Sequence, residues 1–235
     1  MIFMKLSIII PVYNEEKTLK EALSCVERFN IINNLEREII IVDDASTDGS
    51  KHIIKNLPSS YIVISHSENQ GKGASVIDGL KKSTGDIVVV HDADLEYDPE
   101  NLNDLLKPIL DGKADVVYGS RFITYKPHRT LYFWHYMGNR FLTFVSNVFT
   151  NLNLTDMETC YKMMTRKVVN DIKDKLTSKR FGIEPEITAY IKKYRVYEVG
   201  ISYFGRAYGE GKKINYWKDG LSALWCIIKF NVFKK

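Results

Sequence analysis

The chain of 235 residues is 45% hydrophobic and 26% charged, the balance of a soluble globular protein with one substantial core. A formal net charge of +4 is too modest to indicate nucleic acid, although basic residues thicken toward the C-terminus and suit phosphates or an anionic membrane surface. Three cysteines, Cys25, Cys160 and Cys226, lie far apart without a CxxC pair, which speaks against a zinc site or disulfide framework and for a reducing cytosol. No apolar run approaches the roughly 18 to 20 residues of a bilayer span. The first apolar stretch is broken by Lys5 and Pro11 and lacks a small-residue cleavage signal, so neither standard secretion nor a membrane span is expected.

Leu6 to Val12, LSIIIPV, reads as a short buried strand whose proline marks the exit. From Glu15 to Phe29, apolar residues at Leu19, Ala22, Leu23, Val26 and Phe29 form a helical stripe, with acids in the favoured first turn. Glu38 to Val42 repeats the strand pattern and ends in Asp43 and Asp44, before a helix through Leu57. A third run, Tyr61 to Ser65, leads to NQGKG at Asn69 to Gly73 and a helix bearing Ala74, Ile77 and Leu80.

Ile87 to Val90 is the next strand, Pro99 opens a helix through Leu110, and Asp115 to Gly119 is a further strand. Strands alternating with helices to residue 119 predict a mostly parallel sheet covered on both faces. After Arg121 the rhythm changes. Residues 122 to 155 are aromatic and basic, with a helix from about Leu131 to Asn151; Gly182 to Tyr194 reads as an amphipathic helix, and Val196 to Phe204 as a late strand. The tail from Leu221 sets apolar residues at 221, 224, 225 and 228 beside Lys229, Lys234 and Lys235. Its apolar face suits either the protein's own core or a membrane.

Chemistry concentrates in GDIVVVHDADLEYDP, Gly85 to Pro99. In an extended backbone, residues two apart face the same way about 6.5 to 7 Å from each other, which would put Asp92, Asp94 and Glu96 on one side. Gathered like charges call for a positive partner, most simply a divalent cation that prefers oxygen ligands and shares phosphate oxygens. In open α/β sheets ligands bind beyond the carboxyl ends of strands. Tyr13, Asn14, Glu15, Asp43, Asp44 and Lys72 all fall at such ends, and the glycines flanking Lys72 would let the backbone approach a ligand. Asp48 reads as a helix cap, whereas Asp43 and Asp44 suit a cap or a ligand equally. Arg121 suits a phosphate fork or a surface ion pair, with His128, Arg129, Arg206, Lys212 and Lys213 as further cations. His91, His128 and His135 lack metal-ligand spacing and read as structural.

Taken in order, SIIIPVYNEE, IIIVDDASTDGS, NQGKGAS, GDIVVVHDADLEYDP and VVYGSR resemble inverting family 2 glycosyltransferases, especially the branch acting on dolichyl and polyprenyl phosphates. The likeness spans about residues 5 to 215. It implies a GT-A single domain, α/β, with an open, mostly parallel mixed sheet and helices on both faces, over 1–217, followed by an amphipathic basic tail at 218–235 that is membrane-facing or packed. By the same resemblance Pro11, Tyr13, Glu15, Asp43 and Asp44 would hold base and ribose, and Lys72 and Asp92 would orient the nucleotide. Asp94 and Glu96 would hold Mg²⁺ or Mn²⁺ on the diphosphate, Arg121 and Arg129 would receive the acceptor phosphate, and Arg206 and Lys212 would close over the diphosphate. Asp156 matches a position near the sugar, which Glu184 also approaches.

The implied reaction is transfer from an NDP-sugar, GDP-mannose or a UDP-sugar, to a polyprenyl or dolichyl phosphate, with Asp94, Arg121, Asp156 and Arg206 as the catalytic set. Peripheral membrane contact or a membrane-protein partner on the cytoplasmic face would replace the transmembrane helices that many relatives carry. Glu96 stands where some relatives place glutamine, which leaves the metal preference open. Two alternatives stand beside this reading: a transferase of the same fold using a sugar or protein hydroxyl, with Asp156 or Glu184 as base, and a non-catalytic nucleotide-sugar-binding subunit.

Overall fold

A computed structural model describes residues 4–123, 125–130, 132–206 and 216–233. The apolar runs form β1 (Lys5–Val12), β2 (Glu36–Asp43), β3 (Ile62–Ser65), β4 (Ile87–Val90) and β5 (Val116–Ser120). Between them lie α1 (Leu19–Arg28), α2 (Ser50–Lys55), α3 (Lys72–Lys82) and α4 (Leu102–Leu110). The second half adds α5 (Phe133–Thr150), β6 (Lys162–Thr165), α6 (Arg166–Ile172), α7 (Ile183–Ile191), β7 (Val196–Gly200) and α8 (Tyr216–Ile228). Among the described residues these strands make one sheet in the order β3-β2-β1-β4-β6-β5-β7. Every pairing is parallel except those of β6, which runs antiparallel to both β4 and β5. The sheet is therefore mixed and mostly parallel, with its core along β1, β2 and β4, where Ile8, Ile9, Ile10, Ile40, Ile41 and Ile87 to Val89 are wholly buried.

The strand order reverses between β1 and β4, and there the carboxyl ends part into a crevice. Pro11 helps to open it. Ile9 is the last β1 residue in register with β4, and its carbonyl accepts from His91 N at 2.8 Å. Two residues on, Pro11 presents its missing N–H to the same side, where β4 has ended and no ladder bond is lost. Among the described residues six non-glycine residues have positive φ, and the two that are not asparagine, Ala45 (φ 59°) and Leu95 (φ 61°), follow β2 and β4. Such backbone costs on the order of 1–3 kcal/mol and persists where surrounding contacts over-determine it.

The acid stretch departs from expectation. β4 stops at Val90, and a turn through the left-handed Leu95 replaces the extended backbone, so Asp92, Asp94 and Glu96 do not line one strand face. Asp92 turns toward α3 instead, while Asp94 and Glu96 face the segment after β7.

α5 is turned inside out. Its buried residues are the small polar Thr143, Ser146 and Thr150, while Phe133, Trp134, Met137, Phe141, Phe144 and Val148 are exposed, Trp134 to 82%. α8 packs beside it, burying Ala223 and Ile227 while leaving Leu221 and Trp225 outward. The basic tail residues Lys234 and Lys235 lie outside the described residues. No helix among the described residues is long and apolar enough to cross a membrane.

Candidate active site

The β1–α1 and β2–α2 loops are laced together on one side of the crevice. Asn14 N donates to Ser46 Oγ at 3.1 Å, Glu15 N to Ser50 Oγ at 2.9 Å, and Gly49 N to Glu16 Oε2 at 2.8 Å. Asp48 accepts from Ser50 N at 2.9 Å and from Glu16 N at 3.1 Å, while the N-cap position of α2 itself is Gly49. Tyr13 is 38% exposed at the rim.

Both aspartates after β2 are buried and occupied. Asp43 Oδ1 accepts from Ser46 N at 3.0 Å. Asp44 accepts from Gln70 N at 2.8 Å and Gly71 N at 2.7 Å, and His66 Nδ1 lies 2.7 Å from its carboxylate. Asp44 thus holds the NQGKG loop in place. The glycines of that loop have a different reason from the one expected. Gly71 adopts φ +98°, and a Cβ there would lie 2.5 Å from Lys179 O; at Gly73 it would lie 2.1 Å from Ser178 O. Their missing side chains admit the 178–180 backbone rather than a ligand.

Lys72, thus positioned, donates to Asp92 Oδ2 at 2.9 Å and lies 3.4 Å from Glu184 Oε1 at the first turn of α7. Burial works against its charge, but Asp92 foremost among its acidic neighbours outweighs burial and lifts the ammonium above the ordinary lysine value. Asp92 likewise loses to burial and gains more from Lys72, so its carboxyl falls below the usual range. Asp94, 3.4 Å from the Arg206 guanidinium, shifts the other way. Burial, then the charges of Asp92 and Glu96, push its carboxyl up to about 7.

Arg206 sits among the remaining acids, 3.3 Å from Glu15, 3.4 Å from Asp94 and 3.6 Å from Glu96. Glu96 also accepts from Arg206 N at 2.7 Å and from the Tyr203 hydroxyl at 2.6 Å. Among the described residues no three His, Cys, Asp or Glu side chains form a ready-made cation cage. The donor set still fits a hard cation of the kind that takes one or two carboxylates and completes its shell with phosphate oxygens. One guanidinium resting on three acids leaves the cluster with more negative than positive charge.

Arg121 ends β5 and is not a free fork. Its Nε and Nη2 grip Asp156 at 2.6 and 2.7 Å, and its backbone N donates to the same carboxylate at 3.0 Å. Asp156 is wholly buried and is itself placed by Glu198, which accepts from Asp156 N at 3.1 Å. The guanidinium also lies over the Tyr203 ring, 5.2 Å from its centroid. Beyond Arg121 a cavity of about 470 Å³ is lined by Phe122, His128, Arg129, His135, Tyr136 and Tyr203 among others. Arg129 Nη1 donates to Gly205 O at 3.1 Å, which ties this wall to the 201–206 segment.

The structure therefore brings Glu15, Asp94, Glu96 and Arg206 together, joins Lys72 to Asp92 and Glu184, and pairs Arg121 with Asp156. Lys212 and Lys213 lie outside the described residues. Tyr203, His66 and Glu198 escaped the sequence reading. Only Tyr203 carried a signal, its place three residues before Arg206 in one polar and aromatic run.

A single α/β sheet with an acid-lined crevice at its reversal point defines a GT-A fold, and solved structures share it. Glucosyl-3-phosphoglycerate synthase of Mycobacterium tuberculosis, crystallised with Mn²⁺, UDP and glucosyl-3-phosphoglycerate, is similar with a TM-score of 0.73 at 17% identity, covering 97% of this chain and 80% of that one. The chain belongs to glycosyl transferase family 2, whose sequence model matches residues 7–173, and is a glycosyltransferase. It is 29% identical over 211 residues to a UDP-N-acetylglucosamine–dolichyl-phosphate N-acetylglucosaminyltransferase of Methanococcus voltae, covering 80% of each chain. It is 39% identical over 122 residues to a dolichol-phosphate mannosyltransferase of Pyrococcus furiosus, covering 51% of this chain and 34% of that one.

Proposed function

We propose that the chain transfers a glycosyl group from a nucleoside diphosphate sugar to a polyprenyl or dolichyl phosphate, inverting the anomeric centre, while docked on a membrane surface. The observation that carries this reading is the cavity beyond Arg121, where Arg129, His128 and His135 meet Phe122, Tyr132, Phe133 and Tyr136. Cations suit a phosphate head and rings suit the first units of an isoprenoid chain. From the mouth of that cavity α5 continues as an exposed apolar face, joined by Leu221, Trp225 and Phe233. Exposed apolar faces of this kind mark interaction surfaces, and aromatic rings beside cations suit the headgroup level of a bilayer. The dolichyl-phosphate enzymes among the relatives support the same acceptor class. The three free cysteines suit the reducing cytoplasmic side.

On the donor side, Pro11, Tyr13, Glu15, Asp43 and Asp44 border the place for base and ribose, the last two by fixing the loops around it. Lys72 and Asp92 orient the glycosyl diphosphate, with Arg206 and Lys212 on its phosphates. An acceptor phosphate oxygen attacks the anomeric carbon from the face opposite the diphosphate. That oxygen is already anionic near neutral pH, so the chain needs no strong base. Two Arg121 nitrogens are spent on Asp156, and Arg121 lines the cavity with Arg129 as the second cation for the phosphate. Asp94 and Glu96 would hold a divalent cation, Mg²⁺ or Mn²⁺, which when bound supplies counter-charge for the departing diphosphate. Arg206, beside those acids, would direct its charge to the same leaving group.

The test is transfer from UDP-glucose, UDP-N-acetylglucosamine and GDP-mannose to a polyprenyl phosphate with Mn²⁺ or Mg²⁺, comparing wild type with Asp94→Ala. Lipid-linked sugar is expected from wild type and at least about a hundredfold less from the folded variant. Near-normal turnover by Asp94→Ala refutes the assigned cation site. Transfer to hydroxyl acceptors but to no lipid phosphate refutes the acceptor class.

A further inference from the structure

Asn101 stands at the N-cap of α4, where an asparagine side chain ordinarily accepts from the helix's own first N–H groups. It makes no such bond. The residue is 2% exposed, and its amide is spent on partners from other parts of the chain. Nδ2 donates to Ser202 Oγ at 2.7 Å and to Asp98 O at 3.1 Å. Oδ1 accepts from Lys126 Nζ at 2.7 Å and, more weakly, from Ser202 N at 3.4 Å. The Lys126 ammonium also donates to Asp104 Oδ2 in the first turn of α4.

These bonds converge on one wall of the cavity beyond Arg121. His128, Arg129 and Thr130 line that cavity with Tyr203, whereas Asn101 and Lys126 do not. Tyr203 follows Ser202, forms a β-bridge with His128, and accepts from Arg129 N at 2.9 Å through its carbonyl. The 125–130 segment is therefore attached at both ends. Asn101 holds one end directly, at Lys126, and the other through Ser202. A binding group must sit within about 0.5 Å of its productive position, which falls to neighbours that never touch the ligand. Resting on the reading of this cavity as the acceptor site, we infer that Asn101 and Lys126 are positioning residues for the acceptor phosphate: they fix the 125–130 segment so that Arg129 meets it.

The experiment measures kcat, KM for polyprenyl phosphate and affinity for the donor nucleotide, using the full chain with Mn²⁺. It compares wild type with Lys126→Met, Lys126→Arg, Asn101→Ala, Arg129→Ala and the double variant Lys126→Met with Arg129→Ala. Lys126→Met and Asn101→Ala should each raise KM for polyprenyl phosphate about three- to tenfold. Both should leave kcat and donor affinity within about twofold. Lys126→Arg keeps a cation for Asn101 Oδ1 and Asp104 and should stay close to wild type. In the double variant Lys126→Met should add nothing to the effect of Arg129→Ala, because it acts through Arg129. A merely structural clamp would lower the melting temperature and leave KM unmoved. That result, or a double variant whose KM change is the product of the two single changes, overturns the inference while the proposed function stands. If Asn101→Ala does not fold, Lys126→Met decides, its side chain being 23% exposed. Unchanged KM in Arg129→Ala, or no transfer by wild type to any polyprenyl phosphate, overturns the acceptor reading and this inference together.

Discussion

Asp156→Ala tests the central electrostatic feature of the site, because it strips a buried guanidinium of its partner. Asp156 accepts three bonds from Arg121, at 3.0, 2.6 and 2.7 Å, and is itself wholly buried. The Arg121 side chain retains only 10% exposure, so water cannot replace the lost carboxylate. Burial opposes the Arg121 charge, and Asp156 is the foremost group that outweighs it. Breaking a buried pair by deleting one partner costs about 3–5 kcal/mol. For a chain of this size that corresponds to a fall in melting temperature of roughly 6 to 20 °C. Urea denaturation of wild type and Asp156→Ala near pH 7 measures it, and the double variant Asp156→Ala with Arg121→Met should recover most of the loss, since removing both charges leaves none stranded. A loss below about 1 kcal/mol, the range of solvated surface pairs, refutes the buried-pair account.

Other consequences can be checked alongside. Burial lowers His91 to about 4 from the ordinary 6.5, so the unfolded chain binds a proton below about pH 6.5 that the folded chain refuses until about pH 4. Stability is full above that window and falls within it by about 3 kcal/mol, and His91→Phe should flatten the slope in urea titrations; equal slopes would contradict the assignment. Arg129→Ala should raise the KM for polyprenyl phosphate about tenfold with donor affinity unchanged, and selective loss of donor binding would reverse the division between the two subsites. Trp134→Asp with Phe141→Asp, both on the exposed face of α5, should abolish flotation with anionic vesicles while leaving the fold intact; undiminished flotation would move membrane contact elsewhere.

Local pattern carried the strands and helices of the first half, because the apolar runs of β1, β2, β4 and β5 are largely buried on both faces, β3 being the half-exposed edge strand, and each loop sits at a strand end. It failed at β6, whose KMMT has no β-branched residue before its final threonine and whose burial comes from insertion between β4 and β5. It failed again at the acids, where alternation implied one strand face but the left-handed Leu95 bends the chain. The need for Gly71 and Gly73 arises from the 178–180 backbone, more than a hundred residues away in sequence, and no local window contains it. Residues of the site were legible as types at strand ends, whereas their partners were not. Asp44 suits a cap or a ligand equally in the sequence, and in the fold it accepts from Gln70 N and Gly71 N, partners that no local window contains. α5 shows the same limit in another form: its periodicity announces a helix, but only packing reveals that the polar stripe faces inward.

That inverted helix and the acid cluster are joined by one short segment, residues 201–206. The Tyr203 ring forms part of the cavity wall beside α5, and its hydroxyl donates to Glu96 at 2.6 Å. Three residues later Arg206 rests on Glu15, Asp94 and Glu96, one guanidinium against three carboxylates. Any added positive charge near Asp94 and Glu96 therefore competes with Arg206, which ends a segment whose Gly205 carbonyl holds Arg129 and whose Tyr203 ring centroid lies 5.2 Å from the Arg121 guanidinium. Charge balance at the acids and the shape of the neighbouring cavity are consequently properties of the same few residues, so neither can change without disturbing the other.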